Sequence, residues 1–180
     1  MVLLVADTSA LVTLGTVATH ERNPLDIILD AHRVIVPDRV LAELEETASY
    51  DDQSGTAARA VLDRRTTFRV RTAALDADFP LDDGENAAVS LANDLGATQF
   101  LCDEFNRLAL IHASLADTRL VTTPTLVTIL VRNEFLSSND AQALVSEMSD
   151  ARSWDTNTYV AQATRTLRQA SDDASDDDLV

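Results

Sequence analysis

Lysine is absent from this chain: all 14 basic residues are arginine, set against 30 Asp and Glu. A formal charge of −16 on 180 residues implies appreciable self-repulsion in dilute buffer. In molar salt the Debye length falls to about 3 Å, which screens most of that repulsion. A single cysteine, Cys102, excludes an internal disulfide and a Cys-built zinc cluster, and it fits a reducing interior. Aromatics make up only 4% of the chain, so the core has to be assembled from Leu, Val, Ile and Ala. No uncharged apolar run approaches the roughly 20 residues a bilayer requires. The apolar start is interrupted by Asp7 with no basic stretch before it, so a signal peptide is not expected either. The expected location is the cytoplasm. Also missing are a G-x-S-x-G elbow, a Walker loop and a G-x-G-x-x-G turn, which removes the commonest hydrolase, nucleotide and dinucleotide signatures.

What is present is the composition of one folded domain, with 46% hydrophobic residues. Short apolar strands are expected at 3–6, 34–36, 68–70, 99–102 and 120–121, between helices at 10–14, 24–31, 38–49 and 56–65. Further helices are expected at 86–95, 105–115, 124–132, 139–149 and 157–169. Asp38 reads as the cap of the third helix, and the Ala-rich segment opened by Asp82-Asp83-Gly84-Glu85 is closed by Gly96. This alternation predicts an α/β fold: a three-layer α/β/α sandwich with a mainly parallel central sheet. The expected organisation is a main domain over 1–150, a helical extension over 151–170 and a disordered acidic tail over 171–180.

Ligands of such sheets bind beyond the carboxyl ends of the strands, and here the residue after a strand is repeatedly an acid. Asp7 follows the first strand; Asp103 and Glu104 follow the strand at 99–102. Glu85 lies in the first turn of its helix, where the dipole favours a carboxylate. Glu43 sits in a helix otherwise led by Val40, Leu41 and Leu44. Each acid alone reads equally as a cap or a solvated side chain; their recurrence points to a shared site. Gathered carboxylates repel unless a cation neutralises them or some take up protons. Oxygen-only donors suit Mg²⁺ or Mn²⁺, which can activate water and stabilise in-line phosphodiester displacement.

The segments LLVADTSALVTL, VPDRVLAELEE, LDDGENAAVSLA and FLCDEFNRLALIHA, in this order over residues 1–135, together resemble PIN-domain nucleases. The resemblance implies Mg²⁺- or Mn²⁺-dependent cleavage of RNA by Asp7, Glu43, Glu85 and either Asp103 or Glu104. An Asp-Glu pair stands where the family often shows two aspartates, so the fourth position stays open between those two residues. Thr8 and Ser9 resemble the family's hydroxyls after the first acid, where one holds a water at the metal; helix capping is the equal alternative. Arg107 is placed to orient a carboxylate or a phosphate, since guanidinium binds both bidentately. The resemblance further implies the toxin half of a toxin–antitoxin pair, with an antitoxin protein as partner, and a homodimer.

Abundant Asp, no Lys and few bulky apolar residues resemble proteins of salt-loving archaea, with an acidic protein of an ordinary cell as the alternative. In such a protein, net charge loses its usual value as an argument against a nucleic-acid partner. Arg59, Arg64, Arg65, Arg69 and Arg71 form the only basic cluster, and they read either as a phosphate grip or as surface salt bridges. His20, His32 and His112 share no spacing and read as structural, and Cys102 as a buried small residue. Trp154 and Tyr159 mark the docking of a C-terminal helix or a dimer contact. Two other classes compete with the nuclease. One is a PIN-like binding module without catalysis, disfavoured by the intact acids. The other is a small-molecule phosphohydrolase of the haloacid-dehalogenase kind, which would want a second Asp at the position of Ser9.

Overall fold

The computed structural model describes the backbone of residues 1–177 and the side chains through residue 172. The elements are β1 (Leu3–Ala6), α1 (Thr8–Thr16), α2 (Pro24–Ala31), β2 (Arg33–Pro37), α3 (Asp38–Ala48), α4 (Gln53–Leu62) and β3 (Arg69–Arg71). They continue as α5 (Asp83–Asp94), β4 (Gln99–Leu101), α6 (Leu108–Ser114), β5 (Arg119–Val121), α7 (Thr123–Arg132), α8 (Ser138–Arg152) and α9 (Thr158–Asp177). Five strands form one sheet in the order β3-β2-β1-β4-β5, and every neighbouring pair is parallel. The fold is therefore α/β, an all-parallel sheet flanked by helices. No helix among the described residues is long and apolar enough to cross a membrane.

The central strands are near-continuous apolar runs because helices cover them. Leu4, Val5, Ile35, Phe100 and Leu101 are all buried, and they meet Leu11, Leu14, Val89 and Leu130 in one core. Leu4 pairs with Val34 on one side and Gln99 on the other. That register places the carboxyl ends of β1 and β4 side by side, with the Asp7 N–H donating to the Leu101 carbonyl at 2.9 Å. The chain runs from β1 toward one edge of the sheet and returns through β4 toward the other. The crevice between these two strands is the topological switch point, where sheets of this kind bind ligands.

Local chemistry sets the helix ends, and it moves several of them from their expected places. Asp52 accepts from the Gly55 N–H at 2.7 Å, so α4 starts earlier than residue 56. Asp82 and Glu85 complete a capping box that starts α5 at Asp83. Pro37, with no side-chain bond, occupies the cap position of α3, and Asp38 is its first residue rather than its cap. Residues 103–107 form tight turns instead of helix, with Phe105 and Arg107 N–H groups donating to the Asp103 and Glu104 carbonyls. α8 runs past residue 149 to Arg152 and is ended by Ser153 in the left-handed conformation, φ 55°. α9 packs on α7 and α8, burying Ala163 and Leu167. It continues through Asp177, so the expected acidic tail coincides with helix up to that point; residues 178–180 lie outside the described residues.

Three of the five clustered arginines have structural partners. Arg64 bonds to Asp26 through Nε, and through Nη2 at 3.0 Å, and reaches the Ala18 carbonyl at 3.1 Å. Arg59 holds the Ala48 and Tyr50 carbonyls, and Arg65 lies over the Phe68 ring at 5.3 Å. These contacts favour the structural reading of that cluster.

Candidate active site

Asp7 is where β1 hands the chain to α1. Its backbone caps the helix, and its side chain lies on the floor of the switch-point crevice with 3% exposure. Asp7 Oδ2 accepts from Ser9 Oγ at 2.8 Å and from the Ser9 N–H at 3.3 Å, and the Cys102 thiol donates to it at 3.6 Å. Ser9 Oγ in turn accepts from the Asp103 N–H at 3.0 Å, tying the ends of β1 and β4 together. Burial pushes the Asp7 carboxyl up to about 7, with the Glu104 and Glu43 charges adding to the shift and the Ser9 bonds opposing it.

Glu43 belongs to α3, whose buried stripe includes Val40 and Leu44; at i+3 from Val40 it falls on that inward stripe. It accepts a hydrogen bond from the Thr8 hydroxyl. The start of α5 comes against it closely, because a Cβ at Gly84 would collide with the Glu43 carboxylate. The next residue, Glu85, is buried at 4% exposure and accepts from Arg107 at 2.6 Å; Arg107 also reaches Asp82 at 3.1 Å. Burial raises the Glu43 and Glu85 carboxyls above their usual range, and the Asp82 charge pushes both further. Arg107 pulls Glu85 partly back.

The adjacent pair after β4 splits. Glu104 turns toward Asp7, and burial raises its carboxyl while Arg152 opposes the shift. Asp103 turns beneath α7, where Oδ1 accepts from the Thr123 N–H at 2.7 Å. Its Oδ2 is buried and has no hydrogen-bond partner among the described residues, and burial raises this carboxyl too. Asp7, Thr8, Ser9, Glu43, Glu85 and Glu104 all line one cavity of about 550 Å³, together with Asp82, Asp83 and Arg152. Asp103 does not line it, and neither does any histidine.

The donor set is all oxygen, which suits a hard divalent ion. Four carboxylates raised by burial and mutual repulsion are in the state that such an ion relieves. Gly84 lets the start of α5 come directly against the Glu43 carboxylate, where any side chain would collide. Among the described residues, no three carboxylate, imidazole or thiolate groups converge into a ready-made cage. Thr8, Ser9 and Arg107 instead hold the acids individually. Two contributors escaped the sequence reading. Arg152 was hidden by the early end expected for α8. The Cys102 thiol contact with Asp7 carries no sequence signal beyond adjacency to Asp103.

A parallel five-stranded sheet with an acidic cavity at its switch point defines a class of α/β protein. Within that class, the PIN-domain family model DUF3368 matches residues 3–169, and the chain belongs to the PIN-domain family. Comparison with curated proteins gives no match.

Proposed function

We propose that the protein is a divalent-metal-dependent endoribonuclease that cuts RNA phosphodiester bonds in the cavity at the switch point. One observation carries the proposal. Four separate parts of the fold, the β1 end, α3, the α5 start and the turn after β4, each deliver a carboxylate to the same cavity. Family membership supports it, since PIN domains are typically metal-dependent nucleases.

Asp7, Glu43, Glu85 and Glu104 would hold Mg²⁺ or Mn²⁺. Such an ion supplies Lewis-acid polarisation of the phosphoryl group and stabilises the charge that develops on its oxygens. The chain's own residues do the rest. Ser9 fixes the rotamer of Asp7, and Thr8 that of Glu43, so the oxygens face the cavity before an ion arrives. Arg107 keeps Glu85 and Asp82 paired, and a guanidinium is a group that also binds phosphate bidentately. Asp103 anchors the turn through the Thr123 N–H at the start of α7, so we assign it a positioning role and give Glu104 the fourth place. Pairing with an antitoxin belongs to the same reading and rests on family likeness; co-purification with the product of an adjacent small gene tests it.

The test is cleavage of a mixed RNA pool in molar KCl with Mn²⁺ or Mg²⁺, with EDTA as control. Cutting should require the ion. Asp7→Asn or Glu85→Gln should reduce it by more than the roughly 10- to 100-fold that loss of an outer-shell partner costs. Undiminished cutting by a pure, folded Asp7→Asn protein would refute the assignment. Absence of cutting by a folded, metal-bound wild type would favour a binding module.

A further inference from the structure

A second cavity, of about 540 Å³, opens beside the acidic one and shares Glu104 and Arg152 with it. Its wall is the aromatic cluster of an otherwise aromatic-poor chain. Phe105 meets Trp154 edge-on at 4.9 Å and Tyr159 at 5.4 Å. The left-handed turn at Ser153 folds Trp154 back from the end of α8 onto the turn after β4. Neither the Trp154 indole N–H nor the Tyr159 hydroxyl has a hydrogen-bond partner among the described residues, and Tyr159 is 41% exposed. Arg152 stands on the boundary between the two cavities, with its Nε buried and unpartnered among the described residues. Arg152 faces the Asp103 and Glu104 carboxylates, which also line this cavity, and the aromatic polar groups open beside it.

We infer that this second cavity is a base-stacking subsite: an unpaired nucleobase of the RNA strand lies against Trp154 and Tyr159 while Arg152 takes the phosphate leading into the acidic cavity. The inference rests on the nuclease reading for its choice of ligand. Charge narrows that choice. A chain of −16 gains little from phosphate contacts spread along a duplex, whereas single-strand binders combine a local cation with aromatic platforms that accept any base. The shared Arg152 also sets the order along the strand, with the stacked nucleotide next to the bond presented to the carboxylates.

Trp154 is the only tryptophan; it also borders a cavity beside α9 that holds Arg165 and Arg168, so its fluorescence reports on both, and Tyr159, which lines only the proposed subsite, tells them apart. The experiment titrates the full-length protein in EDTA, where no cutting is expected, with a short mixed-sequence oligoribonucleotide and with an abasic oligomer of equal length. The base-bearing strand should quench Trp154 saturably and the abasic one should not. Tyr159→Ala, an exposed position, should weaken that binding on the order of tenfold. In the cleavage assay it should raise KM with little change in kcat. No quenching, or equal quenching by the abasic strand, overturns the subsite. The readout needs no catalysis: quenching without metal-dependent cutting sinks the nuclease and keeps the subsite, and cutting without quenching does the reverse.

Discussion

At position 7 the proposed metal site and the stability of the metal-free protein make opposite demands. The folded protein holds the Asp7 proton up to about pH 7, whereas the ordinary carboxyl value is 3.8. Between those values the folded chain binds more protons than the unfolded one, so raising the pH removes stability from the metal-free protein. Glu43, Glu85, Asp103 and Glu104 move in the same direction and deepen the loss. Metal-free protein should therefore become steadily less stable in urea from about pH 4 to 7, and Mn²⁺ should restore it at neutral pH. Asp7→Asn removes the charge but not the shape. It should stabilise the metal-free protein at pH 7 by a few kcal/mol at most, since each tenfold change in proton affinity is worth about 1.4 kcal/mol. A destabilised Asp7→Asn protein would contradict the burial argument. The acids at 7, 43 and 85, which line one cavity, stood out in the sequence by position: at a strand end, on an apolar helix face, and in the first turn of a helix. The division of labour between Asp103 and Glu104 was not, because neighbours that differ by one methylene point opposite ways only once the turn at 103–107 is known.

At the scale of elements, α1 packs against α4 so closely that a Cβ at Gly15 would sit 2.8 Å from the Ala57 carbonyl carbon. Backbone cannot yield as a flexible side chain would. Gly15→Ala should cost about 1–3 kcal/mol from overpacking, against roughly 1 kcal/mol gained in helix propensity, and chemical denaturation measures the balance. A more stable variant would mean the helices can separate freely. The strands and most helices were legible from apolar runs and caps, since local propensity and the global fold agree there. The misplaced boundaries have two causes: local caps, as at Asp52 and Asp82, moved the starts of α4 and α5, and the turns at 103–107 and Ser153 moved the start of α6 and the end of α8. The end of α8 is set by Ser153 in a conformation that glycine or asparagine usually marks, and α6 starts late because the Asp103 and Glu104 carbonyls accept from Phe105 and Arg107 in tight turns. That is why Arg152, which lines both cavities, gave no warning in the sequence.

Across the whole molecule, the balance of 14 arginines against 30 acids dominates. Exposed ion pairs such as Arg39–Asp83 contribute about 0–1 kcal/mol each, so salt has little to take away there. Salt has much more to give by screening the net repulsion, since molar KCl shortens the Debye length to about 3 Å. The melting temperature should accordingly rise from dilute buffer to molar KCl. A flat or falling profile would show that the charge is not the governing term. The acidity also bears on the site, because it concentrates divalent ions around the protein without selecting where they bind.

Selection is therefore the point to measure: Mn²⁺ binding by calorimetry in molar KCl, where unspecific ion atmosphere is screened, to wild type, Asp7→Asn and Glu43→Gln. Saturable binding to wild type, lost or weakened by at least about tenfold in both variants, is the expected result. Equal binding by all three proteins, or none by a folded wild type, would contradict a metal centre at the switch point.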